Sequence, residues 1–124
     1  MPNLNLIFKR TLITLLAFLA TISLLFAIFY HSSTVRVNVV NNSDGEISNI
    51  VIVGTEDSVT IQSIEKNKSK KVKLTMHGEG TYSIKATLSS GITITGDGRY
   101  IESGYKVQDT VTSKGIEHEF GLFY

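Results

Sequence analysis

The side chains best able to do chemistry in this chain are three histidines, His31, His77 and His118. An imidazole can ligate a metal or carry a proton near neutral pH. None of the three stands in a short ligand spacing such as H-x-x-x-H. A metal centre or an acid–base pair would therefore need folding to bring His77, His118 and a carboxylate into one cleft. The carboxylates are dispersed, as Glu46, Glu56, Asp57, Glu65, Glu79, Asp97, Glu102, Asp109, Glu117 and Glu119. Glu56-Asp57 and Asp97 fall in turn-like segments, where acidic side chains serve as solvated caps. Asp97-Gly98-Arg99 lacks the alternating acidic positions of a calcium loop. Serines are plentiful, but no Gly-x-Ser-x-Gly elbow exposes one as a nucleophile. The expectation is a protein without enzymatic activity: no catalytic residue, no metal ligand and no cofactor.

Binding chemistry has more to work with. Lys66, Lys68, Lys70, Lys71 and Lys73 crowd into one short stretch. Such a stretch suits an anionic contact, whether lipid headgroups, a polyanionic envelope polymer or an acidic partner protein. It also suits a flexible, solvated hairpin loop that discourages edge-to-edge strand pairing. Tyr100 and Tyr105 flank Ile101-Glu102-Ser103-Gly104. An exposed tyrosine pair would anchor a partner, while packing against the end of the fold is the expected role of Tyr105. The chain ends Phe120-Gly121-Leu122-Phe123-Tyr124, apolar to its last residue. That segment reads as a final core strand or as a tail captured by a partner through its carboxylate. The candidate partner-binding residues are thus Lys66, Lys68, Lys70, Lys71, Lys73, Tyr100, Phe123 and Tyr124. Asn41-Asn42-Ser43 and Asn67-Lys68-Ser69 also match the acceptor pattern for N-linked sugar.

Positioning these groups falls to two very different segments. Thr11 to Tyr30 holds no charge, and its twenty residues at ~1.5 Å rise make a helix of roughly 30 Å, the thickness of a hydrocarbon core. The run is too long for a signal-peptide core. Its best cleavage position, after Ala27, has Leu25 where a small side chain is wanted. With no cysteine in the chain, a lipoprotein anchor is excluded. Lys9 and Arg10 precede the run, and the next basic residue is Arg36, so the positive-inside rule orients the span. The expected organisation is a cytoplasmic tail over residues 1–10, a transmembrane signal-anchor over 11–30, and an extracytoplasmic domain over 31–124. Small residues form two rows within the helix, Thr14, Ala17 and Thr21, and Ala20, Ser23 and Ala27. Rows of this kind allow a second helix to approach and leave a homo-oligomer open.

The displayed domain is large enough for one small core and not for two. Without Lys9 and Arg10, ten basic residues face eleven acidic ones there, a formal charge of −1. That balance argues against a nucleic-acid partner. Val35, Val37 and Val39 alternate with Arg36 and Asn38, the period of a half-buried strand. Asn41 to Gly45 then supplies turn formers. Further strands are expected over Ile47–Val53, around Val59 to Ile64, over Val72–Met76, over Tyr82–Leu88, at Ile92–Ile94 before a turn at Gly96-Asp97-Gly98, over Tyr105–Val111 and over Ile116–Phe123. All ten glycines lie beyond residue 31, mostly between strands, and the only proline is Pro2. The fold class expected is all-β, a single antiparallel sandwich of seven to eight strands behind one N-terminal helix.

The opening V-x-V-x-V-x-N-N-S-D-G-x-I-x-x-I-x-I resembles the first hairpin of small bacterial immunoglobulin-like modules. Gly-Glu-Gly-Thr-Tyr-Ser-Ile and Gly-Arg-Tyr-Ile-Glu-Ser-Gly-Tyr are similar to segments of short membrane-anchored bacterial proteins that carry such a module. The resemblance covers residues 35–107. It implies an immunoglobulin-like β-sandwich and a place in the bacterial envelope, at the inner membrane with the domain periplasmic or extracellular. It brings no catalytic residues. The function expected is non-catalytic: a sandwich that binds another envelope protein while the helix holds it in the lipid bilayer. An immunity or inhibitor protein against an envelope toxin, and a structural protein assembling through helix and sheet edge, are the two alternatives.

Overall fold

The computed structural model describes residues 3–121, the side chains of 30–32 excepted. Two compact units divide the chain, Met1–His31 and Ser32–Tyr124. The first is one helix, α1 (Leu4–Ser32), capped by Asn3, whose Oδ1 accepts the Asn5 amide at 3.2 Å. It begins before the uncharged run, so Lys9 and Arg10 are helical. Its segment Leu4–Phe29 is long and apolar enough to cross a membrane. Thr11, Thr14, Thr21 and Ser23 donate to the carbonyls of Ile7, Arg10, Ala17 and Leu19 at 2.9–3.0 Å. Each hydroxyl is thereby satisfied inside its own helix, as an apolar surrounding demands.

Among the described residues the second unit has eight strands: β1 (Thr34–Asn41), β2 (Ile47–Val53), β3 (Ser58–Ile64), β4 (Ser69–Thr75), β5 (Glu79–Thr87), β6 (Thr93–Glu102), β7 (Lys106–Thr112) and β8 (Gly115–Phe120). They form two sheets, ordered β4-β1-β7-β8 and β3-β2-β5-β6. Alternate residues of both sheets meet in one core, among them Val35, Val37, Val39, Ile50, Ile52, Ile84, Ile101 and Val107, all without solvent exposure. Five of the six strand pairings are antiparallel, and the sixth departs from the expected pattern: β1 and β7 run parallel, Val37 beside Val107. A parallel neighbour needs a long connection, and β2 through β6 supply it.

A second departure concerns Gly96-Asp97-Gly98. The segment lies inside β6 as a bulge: Tyr82 pairs with Arg99 and Ile84 with Gly96, which sets Asp97 and Gly98 against the single residue Ser83. Gly98 takes φ 65°, the left-handed backbone that favours glycine. Gly96 matters for a different reason, since a Cβ there would lie 2.7 Å from the Arg99 guanidinium. Local composition alone spells a turn here; pairing with β5 on both sides of the bulge makes it strand.

Candidate functional site

Three separate groups of chemically capable residues emerge. The first is buried between the sheets. Tyr82 on β5 donates its hydroxyl to Asp109 Oδ2 at 2.5 Å, and His118 Nδ1 on β8 lies 2.7 Å from Asp109 Oδ1 and 3.0 Å from the Tyr82 oxygen. Asp109 is fully buried. The register explains the meeting: Asp109 points inward between Val39 and His118 in one sheet, directly beneath inward-facing Tyr82 of the other. Burial first, and then the Asp109 carboxylate, push the Tyr82 phenol far above its ordinary range. Arg99, swung inward by the bulge, donates from Nη2 to the Ile116 carbonyl at 2.7 Å and joins β6 to β8. A tyrosine, a carboxylate and an imidazole in contact could relay a proton. Tyr82 and Asp109 have 1% and 0% exposure, so neither faces solvent. The cluster is a buried polar network that ties the sheets together.

The second group is exposed. Glu56 Oε2 lies 2.6 Å from His77 Nδ1, and this bond holds the Glu56 carboxyl below the usual carboxylate range. Next to it Asp57 accepts the amides of Thr75 at 3.0 Å and Ser58 at 2.9 Å, and these bonds, that to Thr75 first, lower its pKa as well. Asp57 thus caps the start of β3 against the end of β4. His77 and His118 belong to different clusters, each with its own carboxylate, and do not converge on one centre. Among the described residues no three His, Asp or Glu side chains group as metal ligands. The side chain of His31 lies outside the described residues.

The third group is a surface groove of about 520 Å³ lined by Tyr100, Gly104, Tyr105, Lys106, Phe120 and Gly121. Phe120 is 54% exposed and Tyr100 44%. Tyr105 leans on the core and meets the Phe120 ring edge-on at 5.8 Å; the His118 ring meets Phe120 at 4.9 Å. The Tyr100 hydroxyl sits between Glu102 Oε1 at 2.5 Å and Glu79 Oε2 at 3.0 Å, which fixes the ring's outer edge. The groove is thus an aromatic surface with hydrogen-bonded polar groups at its rim.

The lysine stretch lies elsewhere and is not a flexible hairpin loop. β3 and β4 belong to different sheets, and the turn between them is tied down: the Asn67 amide donates to the Asn41 carbonyl at 2.9 Å, and Asn41 returns its amide to Lys68. Lys66 and Lys68 occupy this turn, while Lys70, Lys71 and Lys73 are on β4, an edge strand. Lys73 lies beside Arg36, which in turn lies beside Lys106, so three basic positions form one row across the sheet. The sequence separates these three and gives no sign of the row. Tyr100, on β6 with the groove, and the lysines, beside β3, belong to different edges of the domain. Phe123 and Tyr124 lie outside the described residues. Asn41, first of the sugar-acceptor asparagines, is fully buried, with its amide donating to Gly45 O at 2.8 Å and Ile64 O at 2.9 Å.

No protein-family model matches the chain, nor does any curated protein. Among solved structures the chain is similar to the NMR structure of a protein from Eubacterium rectale, with a TM-score of 0.56 and 14% identity over 74% of this chain and 94% of that one. At that identity the likeness concerns the fold.

Proposed function

We propose that this is a single-pass envelope protein whose extracytoplasmic, immunoglobulin-like sandwich binds another envelope protein, without catalysis. The observation that carries the reading is the groove at Tyr100, Tyr105 and Phe120. It offers exposed aromatic area that the domain's own core leaves uncovered, and rigid rings bury area at small entropic cost. The membrane part of the reading is supported by the apolar segment Leu4–Phe29, and its N-inside orientation by Lys9 and Arg10. Placement in a bacterial inner membrane rests on the resemblance of the strand-and-turn segments.

In-cell crosslinking of the tagged full-length protein tests this. A stoichiometric partner should be recovered from the native chain and lost from Tyr100→Ala and Phe120→Ala, with the helix and lysines untouched. Recovery of nothing but the protein itself would replace partner binding by self-assembly.

A further inference from the structure

Four strands are sheet edges: β4 and β8 in one sheet, β3 and β6 in the other. Exposed edges invite strand addition, and charges, bulges and caps discourage it. Three edges carry such devices. β4 has three lysines among its seven residues. β6 is interrupted by its bulge. On β8, Glu117 and Glu119 are exposed and the Ile116 carbonyl is taken by Arg99. β3 differs. Ser58-Val59-Thr60-Ile61-Gln62-Ser63-Ile64 has no charge, proline or glycine, and pairs with β2 without a register shift. Thr60 and Gln62 face solvent while Ile61 and Ile64 enter the core.

Beside this edge, where the sheets close, runs β4. Lys70 shares the core-facing side of β4 with Val72 and Leu74, and Lys66 and Lys68 stand in the turn that joins the two strands. The middle of the β3 edge therefore borders three lysine positions, Lys66, Lys68 and Lys70.

We infer that the β3 edge is a strand-addition site for an extended, acidic segment of a partner protein. Main-chain bonds to the middle of β3, around Thr60 and Gln62, hold the segment, and its carboxylates meet Lys66, Lys68 and Lys70. A second copy of this chain is a poorer occupant. Joining β3 to β3 would bring two β4 lysine sets together, and like charges oppose the pairing. The inference rests on the reading that the domain binds a protein, and adds a second contact surface remote from the aromatic groove.

The test is a titration of the full chain, in lipid nanodiscs, with the synthetic peptide Glu-Thr-Glu-Thr-Glu-Thr-Glu, followed by amide resonances. Saturable shifts are expected around Thr60 and Gln62 and at Lys66, Lys68 and Lys70. Binding should weaken at least tenfold when alternate peptide nitrogens are methylated, because the ladder is then blocked. It should also weaken at least tenfold for the analogue with Lys in place of Glu, and for the Lys66→Gln/Lys68→Gln/Lys70→Gln variant, whose spectrum otherwise matches the native one. Shifts confined to the lysines and indifferent to methylation would mark a general polyanion contact and overturn the inference, as would no saturable binding. Shifts at Tyr100, Tyr105 and Phe120 instead would overturn the edge site while leaving the protein-binding reading standing.

Discussion

Replacing Tyr82 by Phe removes one oxygen from the best-protected place in the domain. The ring and its packing stay, so the change isolates the bond to Asp109. That bond is 2.5 Å long, is made to a carboxylate and is fully screened from water. Hydrogen bonds to charged groups contribute about 1.5–3 kcal/mol, and an orphaned buried acceptor costs its desolvation as well, so a loss of about 2–3 kcal/mol is expected. At about 4–8 °C per kcal/mol for a domain of this size, the melting temperature should fall by roughly 8–24 °C. Calorimetry of the full chain in detergent micelles reads the shift, with circular dichroism confirming native strands beforehand. Substituting all three members, Tyr82→Phe with Asp109→Leu and His118→Leu, should recover most of the loss, because an apolar replacement of a buried polar cluster leaves nothing unpaired. A Tyr82→Phe shift of under about 2 °C would refute the reasoning, since a bond of ordinary strength at this site predicts several times that. It would mean that Asp109 finds another donor and is not sealed from solvent.

Two further outcomes follow from the same structure. Asn41→Ala removes four hydrogen bonds at once: those donated to Gly45 and Ile64, and those accepted at Oδ1 from the Ser43 amide at 3.0 Å and hydroxyl at 2.6 Å. A loss on the order of 3 kcal/mol is expected, with faster hydrogen exchange at Ser43, whereas a change within experimental error would show the turn to be held by its backbone alone. In alkaline titration, Tyr82 and Tyr100 should withhold their protons. Burial raises the first, and the bonds to Glu102 and Glu79 raise the second. A folded-state pKa above the unfolded value of about 10 gives stability that is complete below that pH and lost as pH rises past it. Tyrosinate absorbance from these two should therefore appear only with unfolding. Full ionisation of all five tyrosines in a native-like domain would contradict the buried and bonded environments.

The alternation of Val35, Val37 and Val39 with polar neighbours marks a strand because side chains leave a strand on opposite faces in turn, whatever surrounds it. The same local rule makes Leu4–Phe29 an apolar helix and Asn41–Gly45 a turn. Gly96-Asp97-Gly98 misleads because the residues that break a strand also build a bulge, and only the partner strand β5 decides between them.

Sites are a harder matter. Tyr82, Asp109 and His118 come from three strands in two sheets, and nothing near any of them hints at the others. The groove joins β6 to β7 and β8, and the row Lys73, Arg36, Lys106 exists only because β1 lies between β4 and β7. By itself, then, the sequence determined the apolar helix, the β-rich domain, the position of most strands though not the extent of β6, and the charge balance, because each depends on residues a few positions apart. Strand order, the parallel β1–β7 pair, the buried triad, the exposed aromatic surface and the place of β3 at a sheet edge were decided by tertiary structure. Those features arise from which strands become neighbours, and neighbours in space are chosen by burial of the whole core.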